Sequence, residues 1–317
     1  MSLEAEKTGG APVSAGLPER KKVSRVVSAK TSVPQRVVEI WRSRELLGHL
    51  ISSSIKVKYK NSALGLVWSM VNPAMTLLIY WFVFGVVLHN AIPNFVIYLF
   101  SGLLFFNFFQ TGVQMATGTI VDNAGLVKKV AFPREILCLA AVGTSAVFLF
   151  FQAIVMVLFL AVLQYAPDWG LLWMLIPVFL GTALFSSALG IALGAINVYL
   201  RDMKHLIDVV LTAWFWGTPI VYSFASTIYP HLVRHGLTWV YMLNPMNPIV
   251  LTTQRVIYAH PIVHLTSAGA PIMQLLPNWG WSTYLWMDLG VIGASVVLVW
   301  IALAIFGRLE GNFAETL

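Results

Sequence analysis

From Asn61 to Val121 the chain carries no Asp, Glu, Lys or Arg. A water-soluble domain has about a quarter of its residues charged, so a stretch of this length is not a solvated surface. A helix crossing the bilayer core needs about 20 apolar residues, and the stretch is long enough for two such crossings. The whole chain repeats the pattern: 58% of its 317 residues are hydrophobic and only 10% are charged. That composition excludes a soluble globular domain and an intrinsically disordered chain. The net charge of +7 would suggest nucleic acid in a soluble protein. In a membrane protein the position of each charge matters more than the sum.

The charges mark the ends of the spans. Twelve Lys/Arg precede Asn61; Lys128, Lys129 and Arg134 share one short stretch, Arg201 and Lys204 another, and Arg308 follows the last apolar run. Six spans fit between them, at about residues 64–88, 95–120, 136–163, 171–198, 206–224 and 284–306. With both termini in the cytoplasm, eighteen of the twenty Lys/Arg lie inside, in accord with the positive-inside rule. Residues 237–258 are the nearest candidate for an extra span. They contain Asn244-Pro245-Met246-Asn247-Pro248 and Arg255, and read as a re-entrant or interfacial piece. The expectation is an all-α integral membrane protein of the plasma membrane. It has a flexible basic cytoplasmic tail (1–35), an amphipathic interfacial region (36–61), a six-span domain (62–310) and a cytoplasmic C-terminus (311–317). The external segment, 225–283, is expected to hold short re-entrant or gate helices. No apolar run follows Met1, so a cleaved signal peptide is not expected.

Residues 44–60 form an amphipathic helix when plotted at about 100° per residue. Leu46, Leu47, Leu50, Ile51, Ile55, Val57 and Tyr59 cover one arc, while Glu45, His49, Ser52, Ser53, Lys56 and Lys60 cover the other. Such a helix lies in the membrane interface rather than across it. Lys58 falls within the apolar arc. Either it snorkels to the headgroups, or it faces a lipid-linked phosphate arriving from the cytoplasmic leaflet, where a fixed ammonium offsets the cost of moving an anion toward low dielectric.

Reaction chemistry is hard to find in this chain. Asp168 lies in an expected external loop, and Asp208 and Asp288 lie near span ends, which argues against ion-coupled transport through a central acid. His231/His235 and His260/His264 have helical metal-binding spacing, but no carboxylate motif accompanies them, and they read as polar loop residues. Cys138 is the single cysteine and forms neither an internal disulfide nor a thiolate metal site. No phosphate loop of the form G-x-x-x-x-G-K-[ST] occurs, so ATP-driven transport would need its ATPase on another chain. No paired acidic motif or Ser/His/Asp set points to catalysis.

Four motifs carry a resemblance. They are Tyr59-Lys60-Asn61-Ser62-Ala63-Leu64-Gly65-Leu66-Val67-Trp68 with Asn72-Pro73; Val127-Lys128-Lys129-Val130-Ala131-Phe132-Pro133-Arg134-Glu135-Ile136; Asn197-Val198-Tyr199-Leu200-Arg201-Asp202; and Asn244-Pro245 with Pro248. In order and spacing they resemble polysaccharide-export permeases of the type-2 ABC exporter class, the O-antigen, capsule and teichoic-acid permeases. The long basic N-terminal tail looks most like that of actinobacterial permeases for lipid-linked galactan.

The resemblance implies a homodimer of permeases with two separate ABC ATPase subunits docked below. ATP and magnesium would bind in those partners, and no cofactor in this chain. The substrate would be a polyprenyl-pyrophosphate-linked glycan; nucleic acid is not an expected partner. Val127, Lys128, Lys129, Phe132, Pro133, Arg134 and Glu135 would form the coupling element, with Arg201 and Asp202 as a second contact or an internal ion pair. Lys56, Lys58, Tyr59 and Lys60 would receive substrate. Tyr80, Trp81 and Phe84 of the first span, and Trp214, Trp216 and Tyr222 of the fifth, would line the channel, where aromatic faces stack on sugar C–H surfaces. Ordinary packing is the other reading of each aromatic. Ser186, Gly190 and Gly194 would allow close helix packing within one subunit. Two other functions fit less of this pattern: a type-2 exporter of a drug or small lipid, and a membrane-bound glycan transferase.

Overall fold

The computed structural model describes residues 32–60, 65–87, 92, 94–130, 132–260, 262–264 and 272–317. The expected tail lies outside the described residues up to position 31, as do Asn61 to Leu64 of the first motif and Ala131 of the second.

Two helices precede the first span, α1 (Val33–Arg42) and α2 (Arg44–Lys58). A capping box starts α1: the Ser32 N–H donates to Gln35 Oε1 at 3.1 Å, and Pro34 sits in the first turn. Next comes α3 (Trp68–Tyr80), continued by a wider π-helical segment over Trp81–Val87. Pro73 lies within α3. Asn94, in the left-handed region at φ 50°, turns the chain into α4 (Phe95–Asp122).

The short α5 (Ala124–Lys129) joins α4 to α6 (Glu135–Val162). A 3-10 segment over Trp169–Met174 feeds α7 (Leu175–Tyr199), so Pro177 falls in the first turn of the α-helical part, where its missing N–H has no helical partner to lose. Then follow α8 (Met203–Trp216), α9 (Tyr229–Arg234), α10 (Thr238–Met242), α11 (Met246–Ile257), α12 (Trp281–Leu309) and α13 (Phe313–Thr316).

Among the described residues, four helical segments are long and apolar enough to cross a membrane: α4, α6, α7 with its 3-10 lead, and α12 with its C-terminal turn. The first expected span is a shorter composite rod. The fifth corrects the sequence reading: instead of one helix over 206–224, α8 stops at Trp216. Gly217, Thr218 and Pro219 turn the chain there, because proline has no N–H to continue the ladder. Pro219 is thus outside a helix, and its carbonyl accepts from Gln254 Nε2 at 3.1 Å. The external segment holds the expected short helices and also a two-stranded antiparallel ribbon, β1 (Ile262–His264) with β2 (Ile272–Gln274), in which Val263 pairs with Met273.

The core forms around α4, which packs on α6, α7, α8 and α11. Gly190 and Gly194 face α4: a Cβ on Gly190 would stand 2.5 Å from that of Ala116, and one on Gly194 3.0 Å from the Ala116 carbonyl oxygen. The small residues of α7 therefore serve packing within the chain, as expected. Helix α11, within the stretch expected to be re-entrant or interfacial, is buried at every position except Arg255. Asp288, in the second turn of α12, is also buried close to Thr252, and neither carboxyl oxygen has a hydrogen-bond partner of good geometry among the described residues. It was read as a span-end charge, but the fold encloses it.

Candidate functional site

The Lys/Arg-rich end gathers α5, the start of α6, the α7–α8 turn, α1 and the end of α12. On α5, Val127 is buried beneath exposed Leu126, Lys128, Lys129 and Val130. This short helix presents an apolar and basic outer face. Phe132, Pro133 and Arg134 are half-buried, and Glu135 is fully buried.

Arg36 holds that junction together. Its Nη1 donates to Glu135 Oε1 and, at 2.8 Å, to Glu310 Oε2. Burial pulls the Arg36 pKa down, but the Glu310 hydrogen bond and the charges of both carboxylates outweigh this and raise it. The guanidinium lies over Gly307, where a Cβ would come within 3.1 Å of Nε. Arg134 donates Nη1 to the Glu310 carbonyl at 3.1 Å and stacks on Phe313 at 5.8 Å. Tyr199 donates to the Leu309 carbonyl at 2.6 Å. Arg134 and Glu135, expected in a partner contact, are thus engaged inside the chain. Arg201 and Asp202 are exposed and form no ion pair among the described residues.

The interfacial helix α2 rests on α6. Lys58 Nζ lies 4.1 Å from the Phe148 ring centroid, a cation–π contact. Desolvation lowers the Lys58 pKa. Tyr59 meets the same ring edge-on at 6.4 Å, and burial raises its pKa. Lys56 and Lys60 are exposed. Of the four expected receiving residues, Tyr59 is half-buried and Lys56, Lys58 and Lys60 are exposed, with Lys58 reaching across to the Phe148 ring of α6.

The aromatic set divides in the same way. Trp81 and Trp216 are 48% and 62% exposed. Tyr80 is half-buried beside Phe84, which packs on Phe95 at 4.9 Å. Trp214 turns inward onto Phe109 and Phe185. Consecutive residues on a helix cannot share one face, and Trp214 takes the buried one. Tyr222 donates to the Trp216 carbonyl at 3.1 Å and meets the Tyr241 hydroxyl at 3.2 Å.

The Asn-Pro motif acts as a structural knot. Asn244 Oδ1 accepts from Trp214 Nε1 at 2.8 Å and from the Met246 N–H at 3.0 Å, satisfying a donor at the start of α11. Its Nδ2 donates to Asn247 Oδ1 at 2.9 Å and Thr218 Oγ1 at 3.3 Å. The motif thereby ties the end of α8 to α11. At the far end of α11, Arg255 pairs with Asp168 at 3.4 Å.

This arrangement of long apolar helices with α2 and the buried α11 coincides with a family match: the family described as ABC-2 type transporter matches residues 45–256. The chain belongs to the ABC-2 transporter membrane family. The matched region runs from the start of α2 almost to the end of α11, so both of these helices are parts of the family domain. The chain is 33% identical over 283 residues to the O-antigen export system permease protein RfbA of Myxococcus xanthus, covering 89% of this chain and 98% of the relative. It is 26% identical over 273 residues to the protein of the same name from Klebsiella pneumoniae, covering 86% and 95%.

Sequence reasoning missed Arg36 and Glu310, which looked like ordinary terminal charges. It noted the Asn244 motif but not its bond to Trp214. The capping box Ser32-Val33-Pro34-Gln35 was a readable sign that helix begins before residue 36.

Proposed function

We propose that this ABC-2 permease is the membrane subunit of an ATP-driven exporter that moves a lipid-linked polysaccharide, galactan- or O-antigen-like, from the cytoplasmic to the outer side of the plasma membrane. The observation that carries this reading is the near end-to-end similarity to the O-antigen export permease of Myxococcus xanthus, across 98% of that protein. Two copies of this chain pair, and two separate ABC ATPase subunits, which bind ATP and magnesium, dock at the Lys/Arg-rich end. Both termini lie in the cytoplasm, the partition that the positive-inside rule favours.

The geometry supports a route for force. The exposed Leu126 and Val130 of α5 offer apolar contacts to an ATPase groove, and Lys128 and Lys129 offer charge. A push on α5 reaches α6 directly. Through the Arg36 junction it also reaches α1 and the end of α12. The lipid-linked pyrophosphate meets α2 near Lys56, Lys58, Tyr59 and Lys60. The exposed faces of α3 and α8, with Trp81 and Trp216, meet the second copy around a channel for the sugar chain.

Depletion of the protein in cells tests the reading. Lipid-linked glycan should accumulate on the cytoplasmic side and return to the surface with wild type, but not with a membrane-inserted Leu126→Asp/Val130→Asp variant. Normal surface glycan after depletion would remove polysaccharide export as the role and favour export of a drug or small lipid.

A further inference from the structure

A cleft of about 500 Å³ opens at the Lys/Arg-rich end between α2, α4, α6 and α8. That volume lies in the range of small-molecule sites. Three elements supply its polar groups: Ser54 from α2, Gln114, Asp122 and Asn123 from the end of α4, and Lys204 and Asp208 from α8. Gln114 lies two turns deeper along α4 than Asp122, about 12 Å at 1.5 Å per residue. The polar lining therefore extends over about two turns of α4.

The lining has a definite bias. Gln114 Nε2 donates to Asp208 Oδ1 at 2.9 Å. That bond uses one of the amide's two N–H donors and leaves the other, the amide oxygen and the second Asp208 oxygen without a partner among the described residues. Lys204 Nζ stands 3.7 Å from Asp122 Oδ2. The pair lies flat on Gly118, where a Cβ would meet Asp122 Oδ2 at 3.0 Å and Lys204 Nζ at 3.3 Å. Two carboxylates against one ammonium leave the cleft negative, which disfavours a phosphate. No group of three potential metal ligands occurs among the described residues. What suits open acceptors and an open amide donor beside the apolar walls of Leu50 and Met115 is a neutral ligand rich in hydroxyls, which both donate and accept, with C–H faces. Higher on α8, Thr212 and the exposed Trp216 follow Asp208 at four-residue steps.

We propose that this cleft is a sugar subsite, in which Asp208 and Gln114 hold hydroxyls of an uncharged sugar unit of the glycan, apart from its pyrophosphate, before the chain passes along α8. The proposal rests on the polysaccharide-export reading and adds where the sugar is held.

The test uses the full permease–ATPase complex in membranes of cells labelled with radioactive sugar. A photo-crosslinking amino acid is placed at Met115, in the cleft, and at Val157, on the exposed face of α6. Sugar-labelled adducts should form at Met115 and not at Val157. Asp208→Asn, which preserves shape and replaces an acceptor with a donor, should lower the Met115 adduct about tenfold, the equivalent of one strong hydrogen bond. Gln114→Met should act in the same direction if Asp208→Asn lowers protein level. An adduct containing phospholipid without sugar, or none at Met115 in cells where depletion still traps glycan inside, would overturn the subsite and leave the export reading standing. Failure of depletion to trap glycan would overturn both.

Discussion

Asn244 shows how one polar side chain can organise a membrane protein. Its four hydrogen bonds join Trp214, Thr218, Met246 and Asn247. Asn244 is half-buried, while Thr218, Met246 and Asn247 are buried, so a lost partner leaves a donor or acceptor of theirs unsatisfied at a cost of about 1–3 kcal/mol. Asn244→Ala should therefore lower the melting temperature of the detergent-purified protein clearly. Trp214→Phe should cost less, because it removes a single N–H and keeps an aromatic ring against Phe109 and Phe185. Trp216→Ala, at a 62% exposed position, should stay within about 0.5 kcal/mol of wild type. A Trp216→Ala loss equal to that of Asn244→Ala would contradict this division of the two tryptophans. The division was not legible in the sequence, where both are aromatic residues two positions apart in one apolar run.

At the scale of elements, the Arg36 junction joins three parts of the chain that sequence treats separately. Arg36 and Glu135 are 99 positions apart, and Arg36 and Glu310 are 274 apart. Removing one partner of a buried ion pair strands the other charge, at about 3–5 kcal/mol. Arg36→Met should therefore reduce thermal stability strongly. The double variant Arg36→Met/Glu135→Gln should recover much of the loss, since the fully buried carboxylate is then neutral, while Glu310 is a quarter exposed and keeps Arg134 nearby. Additive losses in the double variant would show that the pair is not coupled. The long helices were readable because apolar runs of that length have one solution in a bilayer. The early end of α8 was harder to see, because the apolar run continues through the break. Its signal was local, in Gly217-Thr218-Pro219.

For the whole molecule, apolar composition located the spans but not their surroundings. The most apolar crossing helices, α6 and α12, are the least enclosed, while the less apolar α4 is the most enclosed. Lipid favours apolar side chains, whereas a helix surrounded by protein can carry Ser101 and Thr117, both fully buried. Hydropathy therefore reveals depth in the membrane, while the partner of each face comes only from packing. The same ambiguity covers the exposed sides of α3 and α8, which we assign to a second copy around the channel. The central claim is vectorial, ATP-dependent movement of glycan. Its most direct test uses inverted membrane vesicles that contain the permease and its ATPase, with radiolabelled lipid-linked glycan in their outward-facing cytoplasmic leaflet. Adding ATP and magnesium should make the label resistant to externally added glycosidase. Vesicles with the Leu126→Asp/Val130→Asp permease should show no such protection. Label that stays accessible with wild-type permease, active ATPase and ATP would contradict the account.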